Sequence, residues 1–181
     1  MSRMDNLSRF RMLVVSERPY TLRLLRQVLD IVGIRQLISE NDISAAVGLM
    51  RSTSFTAVFC DYGLGELDTE AFAYTVRRSS DVLNPMIPIF LVCSGPNRND
   101  VELARDTGFN DVLALPLSAK TVLRKLQFAL DKPPAFIVSA KFFGPDRRRS
   151  ISQKWPGGDR RKRQPRRVAV KTQVDTDCEA E

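Results

Sequence analysis

The sequence contains no histidine among its 181 residues. Without imidazole the chain cannot build the Ser-His or Cys-His pairs of hydrolases, nor the histidine sites that hold most catalytic zinc ions. Its three cysteines form no C-x-x-C pair, which argues against a disulfide framework or a zinc site and favours a reducing compartment. Carboxylates remain as the metal ligands to consider, and we expect no enzymatic activity.

Long apolar runs are also missing. The longest, Met86 to Cys93, covers eight residues, whereas a membrane-spanning helix needs about twenty. The opening residues MSRMDNLSRFR are too polar for a secretory signal. We therefore expect a cytoplasmic protein that does not insert into a membrane.

Positive charge is concentrated near one end of the chain. Residues 1–134 hold 16 Lys and Arg against 15 Asp and Glu, while residues 135–181 hold 12 against 6. A near-neutral apolar block followed by an arginine-rich stretch predicts a folded domain with a flexible extension. The predicted boundaries are 1–10 for a leader, 11–132 for the domain and 133–181 for the extension, with its core at 142–162.

The first block alternates short apolar runs with segments of helical spacing. Strands are predicted at Met12–Val15, Ile34–Ile38, Ala57–Cys60, Pro88–Cys93 and Val112–Leu115. Helices are predicted from Pro19 to Val32, around Ile43–Met50, and over Glu70–Arg78, Asp100–Asp106 and Ser118–Leu130. This alternation predicts an α/β fold, a doubly wound five-stranded parallel sheet with helices on both faces. In such folds the functional crevice lies at the carboxyl ends of the strands.

Four segments between residues 10 and 131 resemble the receiver domain of bacterial response regulators, the CheY-like fold. They are LVVSERPYTLRLLRQVLDIVGI, TAVFCDYGLGELDTEAF, IPIFLVCSG and ARDTGFNDVLALPLSAKTVLRKL. The resemblance implies that Asp61 stands at the phospho-acceptor position. It also implies that Ser16 and Glu17 stand where the family holds magnesium with two acidic residues.

The other functional positions of the family are altered as well. Leu115 replaces the lysine before the fifth-strand proline, and Val112 replaces the aromatic switch residue. The family's Thr or Ser at the end of the fourth strand falls on Cys93 or Ser94. A receiver with this degenerate site is favoured as a protein-interaction module. The alternative is a response regulator phosphorylated on Asp61, with magnesium held by Glu17 and Asp61.

The extension contains a tandem repeat with the pattern aromatic-x-Gly-x-Asp-Arg-Arg-basic. The first copy runs over residues 142–149 (FFGPDRRR) and the second, thirteen residues later, over residues 155–162 (WPGGDRRK). Glycine and proline before each aspartate predict a turn that presents Asp and Arg on one side. A segment selected for positive charge alone would not need aspartate twice at the same offset.

The residue types of the repeat suit a guanine nucleotide. Arginine pairs with guanine O6 and N7 and with phosphate, a carboxylate accepts from guanine N1–H and N2–H, and an aromatic ring stacks on a base. Two copies suit a ligand with two guanines and two phosphates, and cyclic di-GMP meets that description. The predicted ligand-binding residues are Phe142, Gly144, Asp146, Arg147, Arg148, Trp155, Gly158, Asp159, Arg160 and Arg161. The basic residues outside the repeat, Arg167 among them, are expected to add only long-range attraction.

A CheY-like domain followed by GPDRRRSISQKWPGGDRRKR resembles the Cle family of flagellar motor regulators. The resemblance implies that the extension binds cyclic di-GMP, in the form of an intercalated dimer in some cases. It further implies that the receiver-like domain interacts with the flagellar motor switch and tunes motility and surface attachment.

Two other functions remain open at this stage. One is a nucleic-acid-binding basic tail on a receiver scaffold, since arginine runs with Phe and Trp suit RNA or single-stranded DNA. The other is the phosphorylation-driven response regulator described above. The two aspartates of the repeat separate the first alternative from guanine recognition, because they would repel a phosphate backbone.

Overall fold

A computed structural model describes residues 7–63, 69–139, 142–146 and 166–170. The first five strands are β1 (Arg11–Val15), β2 (Gln36–Glu40), β3 (Ala57–Asp61), β4 (Ile89–Ser94) and β5 (Asp111–Leu115). The helices are α1 (Pro19–Ile31), α2 (Ile43–Ser52), α3 (Thr69–Arg78), α4 (Arg98–Thr107) and α5 (Ala119–Asp131). The five strands form one parallel sheet in the order β2-β1-β3-β4-β5. The predicted fold class is therefore confirmed.

Local signals in the sequence place most helix starts. Pro19 begins α1, and the side chains of Asp42, Asn97 and Ser118 accept backbone N–H groups at the starts of α2, α4 and α5. The predicted second strand, Ile34–Ile38, began too early, because Ile34 lies in the turn that closes the carboxyl end of α1 and β2 begins at Gln36. The Ile34 N–H donates to Leu29 O at 2.9 Å, after Gly33 turns the chain at φ 89°.

Helices cover both faces of the parallel sheet, as the alternating pattern predicts. One apolar cluster joins α2, α3 and α4 to the sheet through residues such as Ala46, Phe72 and Ala104. The other joins α1 and α5 to the opposite face through Leu25 and Val122. The sheet is thus buried on both sides, which leaves its strand ends as the accessible edges.

A second, smaller sheet lies within the extension. Its strands are β6 (Phe136–Val138), β7 (Phe143–Pro145) and β8 (Arg166–Val168), which pair antiparallel in the order β7-β6-β8. This sheet was not predicted from the sequence. Strands of three residues are too short to show an alternating pattern, and β8 pairs with a strand 28 residues away.

Among the helices in the described ranges, none combines the length and apolar character required to cross a bilayer.

Candidate functional site

Asp61 lies at the carboxyl end of β3, where receiver-like folds place their acceptor. Its side chain is buried, at 2% exposed. The Ser16 hydroxyl donates to Oδ2 at 2.8 Å, and Nη1 of Arg18 donates to Oδ1 at 3.2 Å. The Arg18 side chain is 52% exposed, so it reaches in from the surface. Both carboxylate oxygens therefore have a donor supplied by this chain.

This arrangement does not fit a magnesium ion. Magnesium requires near-octahedral oxygen coordination by one or more carboxylates. Ser16 directs its proton at Asp61, Glu17 is exposed, and the guanidinium of Arg18 brings a positive charge to the carboxylate. Within the described ranges, no three acidic or cysteine side chains form a group that could hold a metal. The chain thus supplies its own cation to Asp61.

The end of β4, the strand beside Asp61, carries the two candidates for the family's Thr or Ser position. Asp61 pairs with Val92 in the sheet, and Cys93 follows it as a buried residue, while Ser94 is exposed. Burial raises the pKa of Cys93 to about 11, with further contributions from the charges of Asp100 and Asp61. The thiol therefore stays protonated at neutral pH. Of the two candidates for the family's Thr or Ser position, Cys93 is the buried one.

The remaining family positions contain no charged group. Leu115 ends β5 and packs with the α1 and α5 cluster, and Val112 packs against the opposite cluster. Neither side chain can pair with a phosphoryl group or donate a hydrogen bond to one. Neither position therefore offers a cationic side chain that could pair with a phosphoryl group on Asp61. Arg18 is a cation near Asp61, and it already contacts the carboxylate.

The first copy of the repeat lies partly within the small sheet. Asp146 follows β7 directly, and its backbone N–H donates to Ala135 O at 2.6 Å. Its side chain is only 9% exposed, and Oδ2 lies 2.9 Å from Nη2 of Arg167. Sequence reasoning missed this contact, because a single arginine within a basic run carries no signal for a partner. Arg167 is a direct neighbour of Asp146 rather than a source of distant attraction only.

Phe142 and Gly144, two of the predicted ligand-binding residues, contact other residues of the chain. The Phe142 N–H donates to Ser139 Oγ at 3.0 Å, and Ser139 N–H donates to Phe142 O at 2.8 Å, so the residue after β6 is bonded to the residue before β7. A Cβ at Gly144 would lie 2.7 Å from the Phe142 ring and 2.9 Å from Gly108 Cα. Glycine is thus required here for close packing on the domain, and its predicted role in approaching a ligand stays a prediction.

The other predicted ligand-binding residues lie outside the described residues. They are Arg147, Arg148, Trp155, Gly158, Asp159, Arg160 and Arg161. The structure therefore brings together Phe142, Gly144 and Asp146 from the first copy, and adds Arg167 to them.

A buried arginine attaches the small sheet to the domain. Arg77 on α3 is 2% exposed, and its guanidinium donates to Gly108 O, Pro85 O and Ile87 O at 2.7 to 3.0 Å. It also donates to Asn110 Oδ1 at 2.9 Å. The same guanidinium lies 5.1 Å from the centre of the Phe136 ring of β6, a cation–π contact. Sequence reasoning missed Arg77, because one arginine in an amphipathic helix resembles a surface charge.

Comparison with known proteins gives a likeness at the level of structure. No family model and no curated protein sequence matches the chain. The receiver domain of a sensor histidine kinase from Pseudomonas aeruginosa PAO1, solved with magnesium in its active-site cleft, is 24% identical with a TM-score of 0.57. The match covers 65% of this chain and 94% of that one.

Two other receivers match similarly. A signal receiver domain of an HD domain-containing protein from Pseudomonas fluorescens Pf-5 is 21% identical, with a TM-score of 0.59, covering 69% of this chain and 97% of that one. The chemotaxis protein CheY4 from Vibrio cholerae is 18% identical, with a TM-score of 0.59, covering 67% and 98%. The protein therefore has the α/β fold of CheY-like response-regulator receivers.

Proposed function

We propose that this protein is a cyclic di-GMP effector, in which the arginine-rich extension binds the dinucleotide and the receiver-like domain is the interaction module. The tandem repeat supports the ligand, because its Asp, Arg and aromatic residues match the groups that a guanine nucleotide offers. Two copies match a dinucleotide with two guanines, or two such molecules in an intercalated dimer.

The observation that carries this proposal is the state of Asp146. Its carboxylate is nine-tenths buried and already engages a guanidinium at 2.9 Å. Its backbone N–H donates to the carbonyl oxygen of Ala135, the residue that precedes β6. Because its backbone is already fixed, this carboxylate loses little entropy on accepting the N–H groups of a guanine once the guanidinium has moved away. A tail that only attracted phosphates would gain nothing from it.

The occupied pocket of Asp61 supports an output that does not depend on phosphorylation. Arg18 and Ser16 already satisfy the carboxylate, and the described residues nearby do not fit magnesium. The domain then acts through the surface it presents to a partner. By resemblance to the Cle family, that partner is the flagellar motor switch, and the output tunes motility and surface attachment.

The test compares neutral variants of the repeat aspartates in the full-length chain. Asp146→Asn and Asp159→Asn each remove a charged acceptor, so each should weaken cyclic di-GMP binding by about tenfold or more, the equivalent of one charge-assisted hydrogen bond. Asp81→Asn, an exposed residue far along the sequence, is the matched control and should bind as the wild type does. Affinity is measured by calorimetry for each variant.

The nucleic-acid alternative predicts the opposite result. Removing a negative charge should then strengthen binding to a single-stranded RNA, and that binding should fall steeply as salt is raised. Tighter RNA binding by both variants, with no cyclic di-GMP binding by the wild type, would replace the present proposal with that alternative.

A further inference from the structure

We propose that Arg167 occupies the guanine-binding position at Asp146 in the ligand-free protein, and that cyclic di-GMP binds by displacing it. The inference rests on the proposed function and adds a residue that sets its affinity. Arg167 stands outside the repeat, so no pattern in the sequence assigns it to the site.

Burial brings the two contacts into competition for the same carboxylate. The Asp146 side chain is 9% exposed, with the guanidinium of Arg167 at 2.9 Å from Oδ2, and the Arg167 side chain is 41% exposed. A guanine that pairs with a carboxylate approaches both of its oxygens from one side. A base that pairs with both oxygens competes with the guanidinium for the space at Oδ2. The more exposed partner, Arg167, is the group able to move.

The pairing of the small sheet places both side chains on one face. Ile137 lies opposite Gly144 on β7 and opposite Arg167 on β8. Asp146 follows Gly144 by two residues, so its side chain points to the same side as that of Arg167. Arg166 lies opposite Val138 and points to the other side. The two neighbouring arginines of β8 therefore differ in their access to Asp146.

The chemistry of the two donors explains why one can replace the other. The N1–H and N2–H groups of guanine are a parallel donor pair on a single N–C–N unit. An arginine guanidinium offers the same pair to a carboxylate. Arg167 thus satisfies Asp146 in the free protein, and the ligand must compete with it. The apparent affinity is lowered by the small fraction of molecules in which the carboxylate is open.

A pair of matched variants in the full-length chain tests this. Arg167→Gln and Arg166→Gln each remove one positive charge from β8, so both lose the same long-range attraction for an anionic ligand. Only Arg167→Gln also removes the guanidinium that contacts Asp146. We expect Arg166→Gln to bind cyclic di-GMP about twofold more weakly than the wild type, and Arg167→Gln to bind about three- to tenfold more tightly than Arg166→Gln.

The possible outcomes distinguish a failure of the displacement from a failure of the proposed function. Equal or weaker binding by Arg167→Gln, relative to Arg166→Gln, would overturn the displacement while leaving cyclic di-GMP as the ligand. A wild type that binds no cyclic di-GMP would overturn the proposed function and the displacement together. If Arg167→Gln lowers the thermal stability of the chain, Arg167→Lys keeps the charge but replaces the planar guanidinium that competes with guanine. It must then bind the ligand more tightly than the wild type, and equal or weaker binding contradicts the inference.

Discussion

Single residues decide what the receiver-like domain can do chemically. An acceptor aspartate needs a divalent cation and a free carboxylate oxygen to take a phosphoryl group. In this chain the Ser16 hydroxyl and the Arg18 guanidinium contact the two oxygens of Asp61. The charge of the carboxylate is therefore balanced without a metal. The surrounding fold is kept while the chemistry of its site is changed.

The first prediction concerns phosphoryl transfer to Asp61. Incubation of the full-length protein with acetyl phosphate and magnesium should leave its mass unchanged, because the described site lacks a magnesium-binding carboxylate group. Intact-mass spectrometry measures this. A receiver domain that accepts a phosphoryl group from acetyl phosphate, treated in parallel, serves as the positive control. A phosphoryl adduct that disappears in Asp61→Asn would show that the site is active after all.

The second prediction is a pH dependence that comes from Cys93. Its folded-state pKa of about 11 lies above the ordinary value of 9.0. Between these values the unfolded chain loses the thiol proton and the folded chain keeps it. The free energy of unfolding should therefore fall as pH rises from about 9 to about 11, by up to roughly 2 kcal/mol from this group.

Comparison with Cys93→Ser isolates that contribution. Serine does not titrate in this range, while Cys60 and the lysines are common to both proteins. Denaturant unfolding at a series of pH values should therefore give a steeper decline for the wild type. Parallel stability profiles would mean that Cys93 is not protected from ionisation.

Residue-level reasoning from the sequence reached the acceptor and the repeat but missed three arginines. Asp61 follows a buried strand, which is a strong local signal. Arg18, Arg77 and Arg167 find partners 43, 31 and 21 residues away, respectively. No periodic pattern records such pairings, since they depend on how the elements are brought together.

At the level of secondary-structure elements, the main finding is that part of the extension packs on the domain. Arg77 of α3 connects the segments before β4 and β5 to the small sheet, through three carbonyl oxygens and the Phe136 ring. Gly108 and Gly144 allow the backbones to approach closely. The Asp146 site is therefore held against the domain by a buried cation.

The third prediction tests this attachment. Arg77→Met keeps the volume of the side chain but leaves the carbonyl oxygens of Gly108, Pro85 and Ile87 without their donor. The free energy of unfolding should fall by about 3 kcal/mol or more. Denaturant unfolding measures this change.

The neighbouring arginine provides the matched control. Arg78 is exposed and lies over the Tyr74 ring at 4.6 Å, so Arg78→Met should change the free energy of unfolding by less than about 1 kcal/mol. Similar losses in the two variants would contradict the special role given to Arg77.

The elements themselves were largely predictable, apart from the small sheet. Apolar runs and capping residues placed β1, β3, β4, β5 and the five helices, because each has a periodic pattern of its own. The strands of the small sheet have three residues each, and their pairing depends on packing against Arg77 and Gly108. That packing is a tertiary effect with no local signature.

On the scale of the whole molecule, the two candidate sites, Asp61 and Asp146, lie towards opposite ends of the strands of the parallel sheet. Asp61 is at the carboxyl ends of the strands. Arg77 and Phe136 meet beside Ile87 and Asn110, which precede β4 and β5 at the amino ends. Under the proposed function, a ligand at Asp146 would contact the domain at the end of the sheet remote from Asp61. This separation is consistent with an input that replaces phosphorylation.

The fold class could be predicted from the alternation of strands and helices, while the prediction of the ligand depended on one tandem repeat. Both copies of the repeat contain the Asp-Arg-Arg core, and only the first reaches into the described residues, through Phe142, Gly144 and Asp146. The rest of the ligand site was predicted from residue chemistry alone. The proposed function therefore depends most on whether the extension recognises guanine.

The most direct measurement is a calorimetric titration of the full-length protein with cyclic di-GMP and, in parallel, with cyclic di-AMP. The two ligands share their phosphates and ring, but adenine lacks the N1–H and N2–H donors that Asp146 and Asp159 would accept. The account predicts saturable binding of cyclic di-GMP and at least tenfold weaker binding of cyclic di-AMP. Equal affinity for both ligands, or binding of neither, would contradict it.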